Sequence, residues 1–271
     1  LEDIMQSLRS ELVYGEVDYV EAFSNGRQLP DSIIEQWCDR IDHIVGKLGI
    51  ARPTLADLGC GDGRFTLPLA RRFRMRGRVF AIDKSRPMLE RLHAKVAKSN
   101  LQNVRIILDD ISRCIPSGKA HVCFASEVAH SFRWDPCVFE NMRRMANDLS
   151  AVVLRRQTEA QARQHTRPSF FPMPGVENTP TVDEMCEILA SAGFPFHDVS
   201  IVDESQDLSE EEFLAPLKRR SYAFLRLISA EEYSEGIRRA QEYAYGRSKV
   251  RCESKWTCLV ASTTPTGTAL H

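Results

Sequence analysis

The strongest constraint on the fold is an alternation between short apolar runs and segments with helical periodicity. The apolar runs are residues 54–58, 78–82, 104–108, 121–125 and 151–154. Apolar residues recur every three or four positions in the segments 65–73, 88–96 and 138–145. Strands that alternate with helices predict a parallel sheet covered on both faces, and nearly all-apolar strands are typical of such a sheet. We therefore expect an α/β fold with a doubly wound, mostly parallel sheet.

The segments around this alternation predict further elements. Residues 1–30 have a mixed composition and are interpreted as an N-terminal arm or lid. A helix is predicted from about Ser32, because Ser32 and Glu35 have the spacing of a capping box. Residues 157–181 are rich in Pro, Arg and Gln, which predicts a long loop.

The C-terminal part predicts a helical insertion before a final strand. A helix over 182–192 is capped by Gly193, and strands are predicted at 198–203 and 256–261. Residues 207–246 are predicted to be helical, with two capping-box spacings. These are Ser209/Glu212 and Ser229/Glu232. The predicted division is an arm at 1–30, a core at 31–205, a helical cap at 206–250, and the final core strand with a tail at 251–271.

Composition argues against several classes of protein. A net charge of -1 over 271 residues gives no basic footprint of a dedicated nucleic-acid-binding protein. No stretch reaches the roughly 20 apolar residues of a membrane helix, and the first residues lack a signal-peptide pattern. The eight cysteines form no C-x-x-C pair, and no cluster has metal-ligand spacing. We expect a cytoplasmic protein without a metal ion or membrane anchor, for which nucleic acid is not the favoured partner.

The sharpest functional signal is the sequence DLGCGDGRF at residues 57–65, between the first predicted strand and its helix. Glycine is needed where the backbone turns tightly or approaches a ligand closely. In doubly wound sheets, ligands bind at the carboxyl ends of strands near the topological switch point. Asp83 follows Gly63 by 20 residues and ends the second predicted strand. An acid at that place typically binds ribose hydroxyls.

The glycine spacing separates this turn from two other nucleotide-binding loops. It reads G-x-G-x-G, whereas a dinucleotide fingerprint reads G-x-G-x-x-G, and no Gly-Lys-Ser/Thr follows as in a phosphate-cradling loop. Asp57 and Asp62 place acidic side chains in the turn. This charge favours a cationic ligand without phosphate over a pyrophosphate.

These residues resemble the motifs of class I methyltransferases that use S-adenosylmethionine (SAM). DLGCGDGRF resembles the first motif, and AIDKSRPML at 81–89 resembles the second, whose acid holds the SAM ribose. DDI at 109–111 is similar to the stretch whose acid binds the adenine amino group. FASEVAH at 124–130 resembles the stretch that follows the fourth strand in this family. The resemblance implies a Rossmann-like fold with an antiparallel final strand. The implied cofactor-binding residues are Asp57, Gly59, Cys60, Gly61, Asp83, Lys84, Met88, Asp109, Asp110, Ile111 and Ser126.

The region after the fifth strand is similar to a subgroup that methylates small molecules. There, Phe171-Pro172 precedes a helix that ends in Ala192-Gly193-Phe194. The resemblance implies a small, partly apolar acceptor and a role in biosynthesis. His130 is the candidate general base, because it follows the fourth strand and an imidazole titrates near neutral pH. The candidate acceptor-binding residues are Tyr14, Tyr19, His130, Trp134, Phe171 and Tyr222.

Two other functions stay open at this point. A methyltransferase acting on RNA or protein would need a basic face beside the cofactor, and Arg155-Arg156 and Lys218-Arg219-Arg220 are interpreted as solvated surface instead. The sequence SEVA at 126–129 also differs from the Asn/Asp-Pro-Pro-Tyr/Phe of enzymes that methylate base or amide nitrogens. A SAM-binding protein without methyl transfer would need the same cofactor motifs. A homodimer is also compatible with the sequence.

Overall fold

The computed structural model describes residues 17–127 and 135–265. Helices are α1 (Val17–Gly26), α2 (Asp31–Lys47), α3 (Thr66–Arg72), α4 (Arg86–Lys98), α5 (Pro136–Met145), α6 (Glu159–Gln164), α7 (Val182–Ser191), α8 (Glu210–Lys218) and α9 (Ala230–Ala244). Strands are β1 (Thr54–Leu58), β2 (Arg78–Asp83), β3 (Val104–Leu108), β4 (Ala120–Ser126), β5 (Ala146–Arg156), β6 (Phe196–Asp203), β7 (Gln206–Leu208), β8 (Val250–Cys252) and β9 (Lys255–Ser262). No helix in the described ranges is long and apolar enough to cross a bilayer.

A seven-stranded sheet with the order β3-β2-β1-β4-β5-β9-β6 organises the fold. The pairs β1–β2, β2–β3, β1–β4 and β4–β5 are parallel, and β9 runs antiparallel to β5. The predicted α/β class, the mostly parallel sheet and the antiparallel final strand are therefore confirmed. The strand order reverses beside β1, which lies between β2 and β4. Leu58 pairs with Ile82 on one side and Ala125 on the other, so these strands end at the same edge.

The described chain forms two compact units. One consists of residues 29–127, 135–156, 180–201 and 257–265 and holds most of the seven-stranded sheet. Its central strands β1, β2 and β4 are buried on both faces because their side chains are apolar at nearly every position, as in β2, where Val79, Phe80, Ala81 and Ile82 are all buried. This unit contains the complete glycine-rich turn.

The second unit consists of residues 17–28, 157–179 and 202–256. Its core is rich in aromatic side chains from α8, α9 and the segment before α7. Phe171 illustrates the packing, since its ring lies 6.2 Å from that of Tyr233 and 6.4 Å from that of Phe224. Whether this unit caps the carboxyl edge of the sheet, as the sequence suggests, stays a prediction.

Several local predictions differ from the structure. Helix α2 begins at Asp31, and its N-cap residue Pro30 makes no side-chain hydrogen bond, so the capping box predicted at Ser32 is wrong. The segment 157–181 is not one long loop, because a capping box formed by Thr158 and Gln161 starts α6 there. Residues 206–208 form a short strand paired with β8 rather than a helix.

Both capping boxes predicted in the helical insertion are confirmed. The Ser209 hydroxyl accepts a hydrogen bond from the Glu212 amide at 3.2 Å, and Ser229 accepts one from Glu232 at 3.1 Å. The reciprocal bonds to the Glu carboxylates are both 2.8 Å. Residue spacing alone was sufficient to predict these capping boxes, because each box involves only residues within one helical turn.

Gly236 provides a test of packing in the second unit. A Cβ atom built on Gly236 would lie 2.2 Å from Cδ1 of Phe171 and 3.0 Å from the Phe170 carbonyl oxygen. We expect Gly236→Ala to destabilise the protein by about 1–2 kcal/mol, because overpacking outweighs the better helix propensity of Ala. The measurement is the urea unfolding midpoint.

The matched control is Gly46→Ala in α2, where a Cβ atom would have no neighbour within 4 Å. It should be neutral or stabilising by up to about 1 kcal/mol. Equal unfolding midpoints for the two variants would contradict the packing described around Phe171.

Candidate active site

A glycine-rich turn leads from the end of β1 toward α3. The amides of Gly59 and Cys60 both donate to the carbonyl oxygen of Ile82 in β2, at 2.8 and 3.1 Å. Gly59, Gly61 and Gly63 have φ angles of 66°, 53° and 91°. These left-handed conformations cost side-chain-bearing residues free energy, which explains why the turn needs glycine.

Asp83 ties this turn to the end of β2. Its Oδ2 accepts a hydrogen bond from the Gly61 amide and its Oδ1 accepts one from the Ser85 amide, both at 2.8 Å. Burial raises the pKa of Asp83, and these two amide bonds oppose that rise. Each carboxylate oxygen has a second lone pair, so Asp83 can still accept hydrogen bonds from ribose hydroxyls. The arrangement therefore fits the nucleoside half of SAM.

Residues just after Asp83 start helix α4. The hydroxyl of Ser85 accepts from the Met88 amide at 3.5 Å, and Pro87 occupies the first turn. Met88 is buried, so it forms part of the core beneath the site. A Cβ atom on Gly63 would lie 2.4 Å from Leu92 Cδ1, which shows how closely the turn approaches this helix.

Asp57 is buried at the foot of the glycine-rich turn. The Thr66 hydroxyl donates a 2.6 Å hydrogen bond to its Oδ2. Burial raises the pKa of Asp57 to about 7, and the nearby charge of Asp83 adds to this shift, while the Thr66 bond opposes it. Asp57 therefore links the end of β1 to the first turn of α3.

Asp62, one of the two acids in the turn, is paired with a lysine. Its carboxylate lies 2.6 Å from the ammonium group of Lys95 in α4, which also donates to the Asp62 carbonyl oxygen at 3.2 Å. Asp62 therefore links the glycine-rich turn to α4. The distance of 33 residues between the two partners explains why local reasoning did not find the pair.

Two acids follow β3 at the same edge of the sheet. The amide of Asp109 donates to the Asp83 carbonyl oxygen at 3.1 Å, which places the third motif beside the second. Asp110 accepts bonds from the Ser112 amide and hydroxyl at 2.9 and 2.7 Å. Burial raises the pKa of Asp110, but the Ser112 bonds outweigh it and the net shift is downward. Ile111 is buried below them.

The end of β4 carries an ionic cluster that sequence reasoning missed. Glu127 accepts hydrogen bonds from the guanidinium groups of Arg155 and Arg64, the latter at 3.2 Å. Arg155 also donates to the Ser126 hydroxyl at 3.3 Å. Glu127 has a φ angle of 58°, an uncommon conformation for a residue with a side chain. These contacts join the carboxyl ends of β4 and β5 beside the glycine-rich turn.

The interpretation of Arg155 and Arg156 as solvated surface is wrong. Arg155 is 1% exposed and lies 5.8 Å from the ring centroids of Trp37 and Phe65. Arg156 is 3% exposed and donates to the Pro180 carbonyl oxygen, and burial lowers its pKa to about 10. The missed signal was their position, directly after an apolar run in the same strand.

The basic segment Lys218-Arg219-Arg220 is largely solvated, as predicted. Lys218 and Arg219 are exposed, whereas Arg220 is half-buried with its guanidinium 3.8 Å from the Tyr233 ring centroid. Within the described ranges, no group of three or more His, Cys, Asp or Glu side chains could hold a metal ion.

The predicted acceptor-binding residues are only partly described. Tyr14, His130 and Trp134 lie outside the described residues. Tyr19, Phe171 and Tyr222 are buried in the second unit. The guanidinium of Arg226 lies 5.2 Å from the Tyr19 ring, and that of Arg27 lies 4.7 Å from the Tyr222 ring. Binding of an acceptor by these residues stays a prediction.

Comparisons with known proteins agree with the sequence motifs and the fold. Residues 55–148 match the sequence model of a methyltransferase domain family. A SAM-dependent methyltransferase from Aquifex aeolicus has a similar structure, with 14% identity, a TM-score of 0.50 and coverage of 88% of this chain and 100% of that chain. A Bacillus halodurans C-125 protein assigned as a methyltransferase is 14% identical, with a TM-score of 0.53 and coverage of 82% of this chain and 98% of that chain. No curated protein matches the sequence.

The matched segment contains the glycine-rich turn, Asp83 and both acids after β3. Residues 55–148 therefore match a methyltransferase domain family. The individual roles of the residues around the cofactor stay predictions that rest on the contacts described above.

Asp57 makes the stability of this domain dependent on pH. Its pKa rises on folding from 3.8 to about 7, so folding favours the protonated carboxyl group. The associated stability is fully present below pH 3.8 and is lost as the pH rises toward about 7. Asn cannot ionise and can still accept the Thr66 hydrogen bond. Between about pH 5 and about pH 8, the wild type should therefore lose about 2–3 kcal/mol more free energy of unfolding than Asp57→Asn does.

Urea unfolding at both pH values measures this difference. Asp148→Asn is the control, because the Asp148 side chain is fully exposed and lies outside the turn. Parallel pH profiles for Asp57→Asn and wild type would show that Asp57 ionises normally in the folded protein.

Proposed function

We propose that the enzyme transfers a methyl group from SAM to a small-molecule acceptor. The observation that carries this proposal is Asp83, which the Gly61 and Ser85 amides fix at the carboxyl end of β2 beside the glycine-rich turn. The switch point next to β1 is where a doubly wound sheet binds its ligand. The near-neutral net charge and the SEVA sequence at 126–129 support a small acceptor over RNA or protein. A cytoplasmic location and a role in biosynthesis belong to the same proposal.

The residues of the site would act mainly by binding and orientation. Asp83 would accept hydrogen bonds from the ribose hydroxyls, and Asp109 or Asp110 would accept one from the adenine amino group. The sulfonium of SAM supplies an electrophilic methyl group. Alignment of the acceptor atom with the breaking C–S bond can supply much of the rate, because positioning replaces a bimolecular encounter.

His130 is the proposed general base for an acceptor that must lose a proton. The support is its sequence position just after β4, whose carboxyl end lies at the switch point beside β1. An imidazole with an ordinary pKa of about 6.5 can accept a proton near neutral pH. An acceptor without an acidic proton would not need the base.

Asp83 provides the direct test of the cofactor site. Asp83→Ala should weaken SAM binding roughly 10- to 100-fold, because charge-assisted hydrogen bonds to two hydroxyls are lost. Isothermal titration calorimetry with SAM measures the dissociation constant, and circular dichroism verifies that the variant is folded. Asp148→Asn, a change at a fully exposed carboxylate, should bind like wild type. Unchanged affinity in a folded Asp83→Ala variant would remove the proposed role of Asp83.

Methyl transfer from isotope-labelled SAM into fractionated extract identifies the acceptor class. Label in a small-molecule fraction, read by mass spectrometry and lost with Asp83→Ala, is the expected result. Label confined to RNA or protein would contradict the proposed acceptor class. Binding of SAM with no labelled product in any fraction would favour a protein that uses SAM without methyl transfer.

A further inference from the structure

Strand β6 forms one edge of the seven-stranded sheet and exposes apolar side chains. Val199 is 42% exposed and Ile201 is 56% exposed. Alternate residues of a strand point to the same face, so these two side chains lie side by side there. An edge strand with exposed apolar residues is a template for pairing with another strand.

The backbone groups of β6 that face away from the sheet can be identified from its contacts with β9. The side-chain hydroxyl of Ser262 donates to the Phe196 carbonyl oxygen at 3.5 Å. One residue beyond the other end of the pair, the Glu204 amide donates to the Ser254 carbonyl oxygen at 2.8 Å. The numbering runs in opposite directions, so the strands are antiparallel. Because antiparallel ladders repeat every two residues, even-numbered residues of β6 bond to β9. The amides and carbonyls of odd-numbered residues therefore point outward.

A second copy of β6 complements this edge when the two strands pair antiparallel about Ser200. Val199 of one copy then lies opposite Ile201 of the other, and the reverse pair forms on the other side of the two-fold axis. His197 of one copy lies opposite Asp203 of the other. Opposed apolar side chains stabilise an antiparallel pair, and the His197 imidazole can donate a hydrogen bond to the Asp203 carboxylate of the other copy. All four odd-numbered residues direct their backbone groups to the partner strand.

Neighbouring registers are less complementary. Pairing about Val199 would place Pro195 opposite Asp203, and proline has no amide hydrogen to donate. Pairing about Ile201 would place the apolar Val199 opposite the charged Asp203. The register about Ser200 therefore satisfies the outward backbone groups and matches the side chains.

We propose that the protein forms a two-fold symmetric homodimer in which the β6 edges of two copies pair antiparallel about Ser200. The two sheets then continue as one through the dimer. Such an interface is isologous, because the same patch of each copy meets itself and the contact closes at two copies. This inference does not depend on the acceptor or on methyl transfer.

Sedimentation velocity of the full chain tests the interface. Wild type should sediment with twice the monomer mass, whereas Ile201→Lys should be monomeric or dimerise at least roughly tenfold more weakly, because two like charges enter the interface. Ile115→Lys is the matched control, since Ile115 is 62% exposed and lies outside β6. It should remain dimeric. Circular dichroism verifies the fold of both variants.

A charge exchange tests the register. His197→Glu places a carboxylate opposite Asp203 of the other copy and should weaken the dimer. Combining it with Asp203→Lys should restore the dimer, because Glu and Lys then lie opposite each other. If residues 197 and 203 did not lie opposite each other across the interface, Asp203→Lys would not restore the dimer weakened by His197→Glu.

Three results would overturn the proposal. These are a monomeric wild type at all concentrations, an Ile201→Lys variant that dimerises like Ile115→Lys, and a folded double variant no stronger as a dimer than His197→Glu alone. The first two results reject the β6 interface, and the third rejects the pairing about Ser200.

Discussion

The rest of the site depends on two hydrogen bonds that the carboxylate of Asp83 accepts. One oxygen holds the Gly61 amide and the other holds the Ser85 amide, so a single side chain joins the turn after β1 to the turn after β2. Without it, two amides would lack these acceptors in a largely buried region, at a typical cost of about 1–3 kcal/mol each. The acid proposed to bind the ribose therefore also shapes the two turns beside which the cofactor would lie.

The fold could be predicted from the sequence because its strands are encoded locally. The central strands are apolar runs. Gly59, Gly61 and Gly63 mark the turn, because its backbone has positive φ angles that glycine adopts readily. The contacts of Asp62 and Arg155 could not be predicted in this way. Lys95 is 33 residues from Asp62, and Glu127 is 28 residues from Arg155. Such pairs arise only once the helices and strands are packed together.

Arg155 shows how the molecule keeps charged groups inside the sheet. Its guanidinium is buried beside Trp37 and Phe65 and is held by Glu127 and Ser126. Removal of one partner from a buried ion pair typically costs about 3–5 kcal/mol, because the other charge is left in a poorly solvated place. The carboxyl ends of β4 and β5 are therefore bound to each other, and Glu127 keeps its left-handed backbone conformation next to the glycine-rich turn.

The close fit between Gly236 and Phe171 has an evolutionary consequence. The Phe171 ring occupies the space that a side chain on α9 would need. A larger residue at position 236 is therefore tolerated only if residue 171 becomes smaller, and neither change is easily accepted alone. Related sequences should vary at these two positions in a correlated way, with side-chain volume exchanged between the helix and the segment that follows α6. The helical unit can thus change its shape only through paired substitutions.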